Sequence, residues 1–265
     1  MVLTLYHNDM SVCAQKARMV LAYKRLEWDS KHLDLRAGDQ FSPDFRKINP
    51  KGLVPALVHD GRVVLESNAI VQYLDEVFAA SPLLSADAVE RAEARGWLIR
   101  LDAGLHEHIA VISFCVAFRH QILQRHPTQE SLQAFFAQIR DPSRRAIMED
   151  IVTNGLDSHR LLLAVLAYDK LLKDMTSSLL ASGCLVGREL SLADFSMLPY
   201  IERLEQLRLS QWWEDYPELS RWLARLRATA AYELGVSQWS NPAYLQLMKE
   251  SGSDAWPKIQ ALLSD

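Results

Sequence analysis

The sequence predicts a mixed α/β N-terminal part followed by an all-α remainder. Short runs in which apolar and polar residues alternate, the pattern of half-buried strands, occur only before about residue 80. Within that region Asp60-Gly61 separates two apolar runs, and this dipeptide is typical of tight β-hairpins because both residues tolerate positive φ. Beyond about residue 86 the strand patterns stop, and helical periodicity continues nearly to the end of the chain.

The first elements are a strand, a helix and a second strand. The segment "VLTLYH" places Leu3 and Leu5 on one face and predicts the first strand. Helix-forming residues over about positions 11–25 predict a helix. The segment "LEWDSKHLDL" predicts another strand, with Leu33 and Leu35 on one face.

A hairpin and a helix complete this part of the chain. "INPKGLVPALVHDGRVVLES" contains the two hairpin strands, and "SNAIVQYLDEVF" places Ile70, Val71, Leu74 and Phe78 on one helical stripe. Ser67 is expected to cap the start of that helix. The order strand–helix–strand, then hairpin, then helix predicts a small mixed sheet with helices against it, which is a thioredoxin-like arrangement.

The remainder is predicted to be all helical. Its periodicity is interrupted only at "RHPTQ", "RDPSR", "TNGLDS" and "SGCLVGREL". Ser191 is followed three residues later by Asp194, which predicts a capping box at the start of an apolar helix. We therefore expect an α/β thioredoxin-like domain over residues 1–80 and an all-α domain over residues 88–265.

Composition narrows the class of protein. The 265 residues are 49% hydrophobic and carry a net charge of −4, which argues against a nucleic-acid partner bound through its phosphates. The longest apolar runs are too short to cross a bilayer as helices. Cys13, Cys115 and Cys184 are widely spaced and no secretory leader is recognisable, which favours reduced thiols and a cytoplasmic location. His106 and His108 do not share a helical face, so no metal site is expected.

Four motifs in order carry a family resemblance. A strand leading to "SVCAQKAR", a "VP" pair before the hairpin, "ES" opening the next helix and "SLAD" in the helical part together resemble the cytosolic glutathione S-transferase superfamily. The serine-x-cysteine start is similar to zeta-type enzymes and bacterial tetrachlorohydroquinone reductive dehalogenases. The "INPKGLVPALVHDGRVVLES" region is closer to bacterial β-aryl etherases. The resemblance implies the glutathione transferase fold, glutathione as co-substrate and a homodimer, with a heterodimer of paralogues left open.

The resemblance assigns the sulfur of glutathione to the start of the first helix. An ordinary thiol, with a pKa of about 8.5, is only a few per cent ionised at neutral pH, so the site must stabilise the thiolate. By motif, Ser11 is the residue whose hydroxyl donates to that sulfur, while its oxygen can also cap the helix. Cys13 either exchanges with a glutathione adduct, as in the dehalogenases, or is a small packing residue. Arg18 is expected to cap neighbouring carbonyls or form a structural ion pair.

The same resemblance assigns the rest of the tripeptide. Val54 and Pro55 match the superfamily's cis-proline junction, and the Val54 backbone would pair with the cysteinyl backbone of glutathione. Glu66 and Ser67 would hold the γ-glutamyl end at the start of a helix.

The chain departs from many relatives at Leu53, where a lysine or glutamine usually precedes the "VP" pair. Lys51 or Gln40 is expected to substitute for it at the glycyl carboxylate.

The acceptor substrate is expected against the first long helix of the all-α domain. Ile109, Ser113, Phe114 and Ala117 follow one helical side of "HEHIAVISFCVAFRH", and a mostly apolar, partly aromatic lining suits an aryl compound. Helix–helix core packing is the alternative for these four residues.

The sequence thus indicates a glutathione transferase that attacks an aromatic electrophile, as in β-aryl ether cleavage or dehalogenation. Three alternatives remain at this point: thiol–disulfide exchange through Cys13, a zeta-like cis–trans isomerase, and a binding module that keeps the fold without catalysis.

Overall fold

The computed structural model describes residues 2–264, so Met1 and Asp265, the outer residues of the two predicted domains, lie outside the described part of the chain. Its strands are β1 (Leu3–His7), β2 (Asp29–His32), β3 (Ala56–His59) and β4 (Arg62–Val64). They form a sheet of order β2-β1-β3-β4, in which β1 pairs parallel with β2 and antiparallel with β3, and β4 pairs antiparallel with β3. The predicted mixed sheet is confirmed.

Helices account for most of the remaining chain. They are α1 (Val12–Tyr23), α2 (Pro43–Ile48), α3 (Ser67–Val77), α4 (Ala88–Arg100), α5 (His106–Ser113), α6 (Arg119–Arg125), α7 (Gln129–Ala137), α8 (Pro142–Asn154), α9 (Arg160–Ser182), α10 (Leu192–Gln206), α11 (Pro217–Arg227), α12 (Ala230–Gly235) and α13 (Pro242–Ser264). No strand follows β4 among the described residues, as the sequence predicts.

The hairpin between β3 and β4 has the predicted turn. Asp60 and Gly61 have φ values of 47° and 79°, and His59 pairs with Arg62 across the turn. Two consecutive residues with positive φ match the right-handed twist of the strands that they join.

The second strand is shorter than predicted. β2 ends at His32, so Leu33 and Leu35 lie beyond it, although the Leu33 N–H still bonds to the His7 carbonyl at 2.8 Å. The physical reason is Asp34, whose carboxylate accepts the N–H groups of Arg36 and Ala37 at 2.8 and 3.1 Å. This local turn competes with continuation of the strand.

A short helix, α2, lies between the second predicted strand and the hairpin, where the sequence analysis assigns no element. Ser42 caps it by accepting the Phe45 N–H at 3.3 Å, and Pro43 occupies its first position. Both are ordinary helix-start residues, so the "SP" dipeptide is the sequence feature that could have predicted this helix.

The chain divides into two compact units, each made of several stretches. Unit 1 contains the residues up to Ala103 together with Asp174–Glu202 and Asp215–Asn241. Unit 2 contains Gly104–Lys173, Arg203–Glu214 and the residues from Pro242 onward. The boundaries of the two predicted domains stay a prediction.

In unit 1 the core lies between the sheet and its helices. Leu5 and Leu57 from the sheet, and Ile70 and Leu74 from α3, are fully buried. Helix α12 lies directly against α1, since a Cβ added at Gly235 would stand 2.6 Å from a backbone nitrogen of α1. Only glycine allows this approach of two helix backbones.

The helix α10 begins at the predicted capping pair. The Asp194 carboxylate accepts the backbone N–H and the hydroxyl of Ser191, both at 2.8 Å, so its reach back to Ser191 is confirmed. It also accepts the Leu185 N–H at 2.9 Å and the Trp222 indole N–H at 2.8 Å. One buried carboxylate thus joins three segments of unit 1, and four donors satisfy its charge.

The described residues of unit 2 form helices and connecting loops, and no strand. A π-helical turn, Phe114–Phe118, follows α5, and the Tyr168 hydroxyl donates to the Leu105 carbonyl at 3.0 Å. A helical run of 38 residues, Ala88–Arg125, which begins in unit 1, has the length and apolar composition of a membrane span. Because 56% of its most apolar window is buried inside the protein, and core helices of soluble proteins meet the same criteria, this run is weak support for a membrane span.

Candidate glutathione site

Ser11 stands at the N-terminus of α1. It is half-buried, and its hydroxyl oxygen accepts the Ala14 N–H at 3.3 Å, so the predicted N-cap is confirmed. A capping hydroxyl uses a lone pair and keeps its proton. Ser11 can therefore cap the helix and donate to a sulfur at the same time, and that second role stays a prediction.

Cys13 is buried one position inside α1. Its sulfur lies 3.6 Å from the Tyr200 hydroxyl. One turn further along α1, the Lys16 ammonium is also buried, donates to the Asn68 side-chain oxygen at 2.6 Å and lies 5.5 Å from the centre of the Tyr200 ring. Burial lowers the pKa of Lys16, while the charges of Cys13 and Asp102 act to raise it. Cys13 therefore has the Tyr200 hydroxyl and the buried Lys16 side chain as neighbours.

The Val54–Pro55 peptide bond is cis, as the resemblance implies. Val54 is partly exposed, and neither its N–H nor its C=O enters a backbone hydrogen bond within residues 2–264. The preceding loop is ordered by Asn49, which donates to the Leu53 carbonyl at 2.8 Å and accepts the Lys51 N–H at 3.1 Å. The backbone of Val54 is therefore available for a ligand, whereas Asn49 is a positioning residue that the sequence analysis missed.

The start of α3 differs from the prediction. Glu66, not Ser67, occupies the N-cap position, and no side chain caps this helix, so the expected cap at Ser67 is wrong. Glu66 has a φ of 65° and a ψ of 119°, a conformation that glutamate rarely adopts. This geometry makes Ser67 the first helical residue, and it leaves the first amides of α3 without a side-chain partner. An uncapped helix start is suited to a carboxylate.

Lys51 and Glu66 bind each other. The Lys51 ammonium lies 2.7 Å from the Glu66 carboxylate, and the two side chains are 66% and 59% exposed. This hydrogen bond raises the pKa of Lys51. The sequence analysis assigned Lys51 to the glycyl end of the tripeptide and Glu66 to its γ-glutamyl end. Because the two side chains bind each other, the end that Lys51 binds has to be tested.

Gln40 is buried near this loop. Its amide donates to the Leu35 carbonyl at 3.2 Å, and its side-chain oxygen has no hydrogen-bond partner. A Cβ at Gly52, whose φ is 63°, would stand 2.9 Å from the Gln40 carbonyl oxygen, so the two segments touch through their backbones. An amide whose only described bond goes to its own loop is a weak candidate for a carboxylate, and its role stays a prediction.

The four predicted acceptor contacts lie in unit 2. Ile109, Ser113 and Ala117 are at most 2% exposed, whereas Phe114 is partly exposed and packs edge-on against Phe118 with 5.7 Å between ring centres. The Ser113 hydroxyl is buried without a partner. Phe114 is therefore the one residue of the four that presents appreciable surface, and the assignment of all four stays a prediction.

Arg18 caps backbone carbonyls, as expected. Its guanidinium donates to the carbonyls of Asn8 and Asp9, both at 2.8 Å. Cys13, Cys115 and Cys184 form no disulfide with another described residue. No cluster of three or more possible metal ligands occurs over residues 2–264.

Comparison with known proteins identifies the family. The family model of the glutathione S-transferase N-terminal domain matches residues 10–77. The family model of the glutathione S-transferase C-terminal domain matches residues 160–229. The chain belongs to the glutathione S-transferase family. Members of this family use glutathione as co-substrate, are generally soluble and cytosolic, and commonly form dimers.

Curated relatives include plant glutathione transferases and a bacterial dehalogenase. Glutathione S-transferase Z1 of Arabidopsis thaliana is 41% identical over 114 residues, which is 42% of this chain and 52% of the relative. The tetrachloro-p-hydroquinone reductive dehalogenase of Sphingobium chlorophenolicum is 26% identical over 240 residues, 87% of this chain and 94% of the relative. The matches cover about half or less of the first zeta-type and plant transferases, at 52%, 40% and 40% of their lengths.

Among solved structures, the β-etherase LigF from Sphingobium sp. strain SYK-6 superposes with a TM-score of 0.81. It is 27% identical, and the superposition covers 90% of this chain and 100% of LigF. The glutathione transferase fold is thereby confirmed over nearly the whole chain.

Proposed function

We propose that this protein is a glutathione transferase whose bound thiolate displaces a leaving group from an aromatic electrophile. The observation that carries the proposal is the pairing of two helix N-termini in unit 1. At α1, Ser11 offers a hydroxyl, and at α3, Ser67 and its neighbouring amides have no capping side chain. The Lys16 ammonium donates to the Asn68 side-chain oxygen at 2.6 Å and so joins the second turn of α1 to the first turn of α3.

Glutathione fits this pair by its chemistry. It carries a thiol at its centre and a zwitterionic amino acid at its γ-glutamyl end. The uncapped amides and hydroxyl of α3 suit the γ-glutamyl carboxylate, and the exposed Glu66 carboxylate suits the adjacent ammonium. The unpaired backbone of Val54 suits the central cysteinyl residue, as an added strand would.

The start of α1 then acts on the sulfur. Lowering the thiol pKa by about two units requires roughly 2.7 kcal/mol of preference for the thiolate. Partial positive charge at the helix N-terminus supplies part of this preference. A hydrogen bond from the Ser11 hydroxyl to the anionic sulfur supplies another part, because bonds to ionised acceptors are the stronger ones.

The reaction is a displacement with a simple balance. A carbon–sulfur bond forms as the glutathione thiolate attacks, and the bond from that carbon to oxygen or halogen breaks. The electron pair leaves with the phenoxide or halide, and a phenoxide then takes a proton from water. The names of the β-etherase and dehalogenase relatives support an aromatic acceptor. We assign the exposed face of Phe114, beside Phe118, to the aryl ring.

A second function has one observation in its favour. The Cys13 sulfur lies beside the Tyr200 hydroxyl and one turn from the buried Lys16 ammonium, both of which favour a thiolate. In that mechanism the Cys13 thiolate attacks the sulfur of an aryl–glutathione adduct, an S–S bond forms, the aryl–sulfur bond breaks and the carbon takes a proton. A second glutathione then releases glutathione disulfide and restores Cys13.

The experiment has two parts. The first titrates the ultraviolet absorbance of the thiolate in the protein–glutathione complex against pH, with free glutathione as reference. The second measures turnover with glutathione against aryl ethers, chlorinated hydroquinones and maleylacetoacetate-like cis-alkenes. We expect a bound-thiol pKa well below that of the free thiol, and release of phenol or halide with formation of a thioether.

Variants separate the two mechanisms. Activity that survives Cys13→Ser and collapses in Ser11→Ala supports direct displacement, and the reverse pattern, with glutathione disulfide as product, supports exchange. Phe114→Ala should raise the KM of the aryl substrate and leave that of glutathione unchanged. A protein that neither binds glutathione nor lowers the pKa of its thiol would refute both, and turnover of the cis-alkene alone would indicate the isomerase.

The proposed location is the cytoplasm. The proposed oligomeric state is a dimer, in which the second subunit is either identical or a paralogue.

A further inference from the structure

The segment between β1 and α1 carries Ser11, and side chains fix its shape. Asn8 accepts the Met10 N–H at 3.1 Å and donates to the Leu33 carbonyl at 3.0 Å. The Asp9 carboxylate accepts the same Met10 N–H at 2.8 Å. These bonds order the residues that immediately precede the Ser11 hydroxyl.

Arg18, from the second turn of α1, binds the backbone of this segment. It is 1% exposed and donates to the carbonyls of Asn8 and Asp9, both at 2.8 Å. One guanidinium nitrogen lies 3.0 Å from the His7 Nδ1. Burial lowers the pKa of Arg18 to about 9, so the side chain is still charged at neutral pH. A rigid, charged fork that spans two consecutive carbonyls sets the path of the backbone between them.

A second stretch of chain, more than 200 positions further along the sequence, also contacts Arg18 and this segment. We call residues 235–241 the clasp. The Gly235 carbonyl accepts from Arg18 Nε at 2.8 Å, and the Trp239 ring centre lies 5.2 Å from the Arg18 Cζ and 4.7 Å from the His7 ring centre. Asn241 donates through its side chain to the Asp9 carboxylate at 3.1 Å. Arg18 therefore binds the carbonyls of Asn8 and Asp9, while Asn241 of the clasp binds the Asp9 carboxylate and, through its backbone N–H, the Met10 sulfur at 3.4 Å.

We propose that Arg18 and the clasp are positioning elements that aim the Ser11 hydroxyl at the glutathione sulfur, and so set the acidity of the bound thiol. This inference rests on the proposed function. Its physical basis is the steep dependence of hydrogen-bond strength on distance and angle. If the Asn8–Met10 segment moves by a fraction of an ångström, Ser11 keeps its backbone cap but loses its alignment with the sulfur.

The test uses partly exposed residues of the clasp, because loss of the buried Arg18 could unfold unit 1. Asn241→Ala removes the bond to Asp9, and Trp239→Leu removes the ring beside Arg18. The matched control is Asn154→Ala, which removes a comparable amide bond of 2.7 Å to the carboxylate of Asp150. Asp150 is 13% exposed, close to the 17% of Asp9, and lies far from this segment in the sequence. Each protein is titrated with glutathione by thiolate absorbance, and kcat/KM is measured across pH.

We expect both clasp variants to raise the bound-thiol pKa by about 0.5 to 1 unit, which lowers the thiolate fraction and kcat/KM at neutral pH by about three- to tenfold. The loss should disappear at alkaline pH, where the thiol ionises without help, and Asn154→Ala should match the wild type. Amide hydrogen exchange of residues 8–13, measured without glutathione, should quicken only in the clasp variants.

Three outcomes contradict the inference. The first is a bound-thiol pKa equal to the wild-type value in both clasp variants. The second is an equal loss of kcat/KM at every pH, which indicates a general structural effect. Unchanged exchange of residues 8–13 would show that the clasp does not hold this segment. If the wild-type protein itself fails to lower the thiol pKa, the proposed function fails instead, so the two failures are distinguishable.

Discussion

The Lys51 ammonium lies 2.7 Å from the Glu66 carboxylate, across 15 positions of sequence. An exposed pair of this kind stabilises a fold by little, so a ligand can replace or join it at low cost. Together the two side chains present one positive and one negative group beside the start of α3. That is the charge pattern of an amino-acid zwitterion, such as the γ-glutamyl end of glutathione.

The first prediction tests which end of the peptide Lys51 binds. Because Lys51 is paired with Glu66, we expect Lys51→Ala to weaken binding of γ-glutamylcysteine, which lacks the glycine, as much as it weakens binding of glutathione. Calorimetric Kd values for both peptides measure this. If the loss with γ-glutamylcysteine is absent, Lys51 binds the glycyl carboxylate, as the sequence analysis expects. Lys47→Ala, which removes the exposed Lys47–Asp44 ion pair, is the control.

The second prediction concerns backbone strain at Glu66. A non-glycine residue with a φ of 65° and a ψ of 119° carries roughly 1–3 kcal/mol of strain. Glycine relieves that strain and loses somewhat more entropy on folding. We therefore expect Glu66→Gly to exceed Glu66→Ala in free energy of unfolding by about 1 kcal/mol in urea titrations. At the exposed Glu214, with a φ of −57°, the alanine variant should be the more stable one, and the same order at both sites would contradict the strain.

The third prediction separates capping from thiol activation. Ser11 and Ser42 each cap a helix by accepting a backbone N–H at 3.3 Å, so alanine at either position should lower the free energy of unfolding by about 1 kcal/mol. Only Ser11→Ala should also raise the bound-thiol pKa, by about one unit, and lower kcat/KM at neutral pH by about tenfold. Equal effects of the two variants on the thiol would assign Ser11 to capping alone.

The fourth prediction concerns acid stability. Burial, with help from the charges of Arg18 and His32, lowers the pKa of His7 from 6.5 to about 3. A histidine whose pKa is lowered by folding contributes stability that is fully present above its unfolded pKa and is lost as pH falls from about 6.5 towards 3. Between about pH 6.5 and about pH 4, we therefore expect the wild type to lose roughly 2 kcal/mol more unfolding free energy than His7→Gln loses.

The control is His159→Gln, which removes an imidazole that is exposed and lies 3.6 Å from the Asp150 carboxylate, so it removes a surface contact and no buried histidine. Carboxylates also titrate over this range, so the informative quantity is the difference between variants. A His7→Gln protein with the wild-type slope would mean that His7 does not resist protonation in the fold.

Local features were predictable because their causes lie within a few residues. The hairpin follows from Asp60-Gly61, whose positive φ values need no distant contact. The reach of Asp194 back to Ser191 is likewise a property of one helical turn. Helix α2 follows from Ser42 and Pro43 by the same reasoning, and it was missed although its residues are present.

Long-range relationships were not predictable. Glu66 takes the capping position from Ser67 because the chain must turn sharply between β4 and α3, and no residue pattern marks that turn. The pairing of Lys51 with Glu66 exists only because the loop before β3 and the end of β4 come together in the sheet. Arg18 reads in sequence as a structural arginine. Its contact with a segment 217 positions away gives it a candidate role at the thiol.

The sequence by itself determined the fold class, the order of the four strands and the family, because periodicity, turn residues and helix caps act over a few positions. The tertiary structure alone decided which charged groups meet and which helix start is left uncapped. Those outcomes depend on contacts between distant segments, whose geometry is set by the packed core rather than by neighbouring residues.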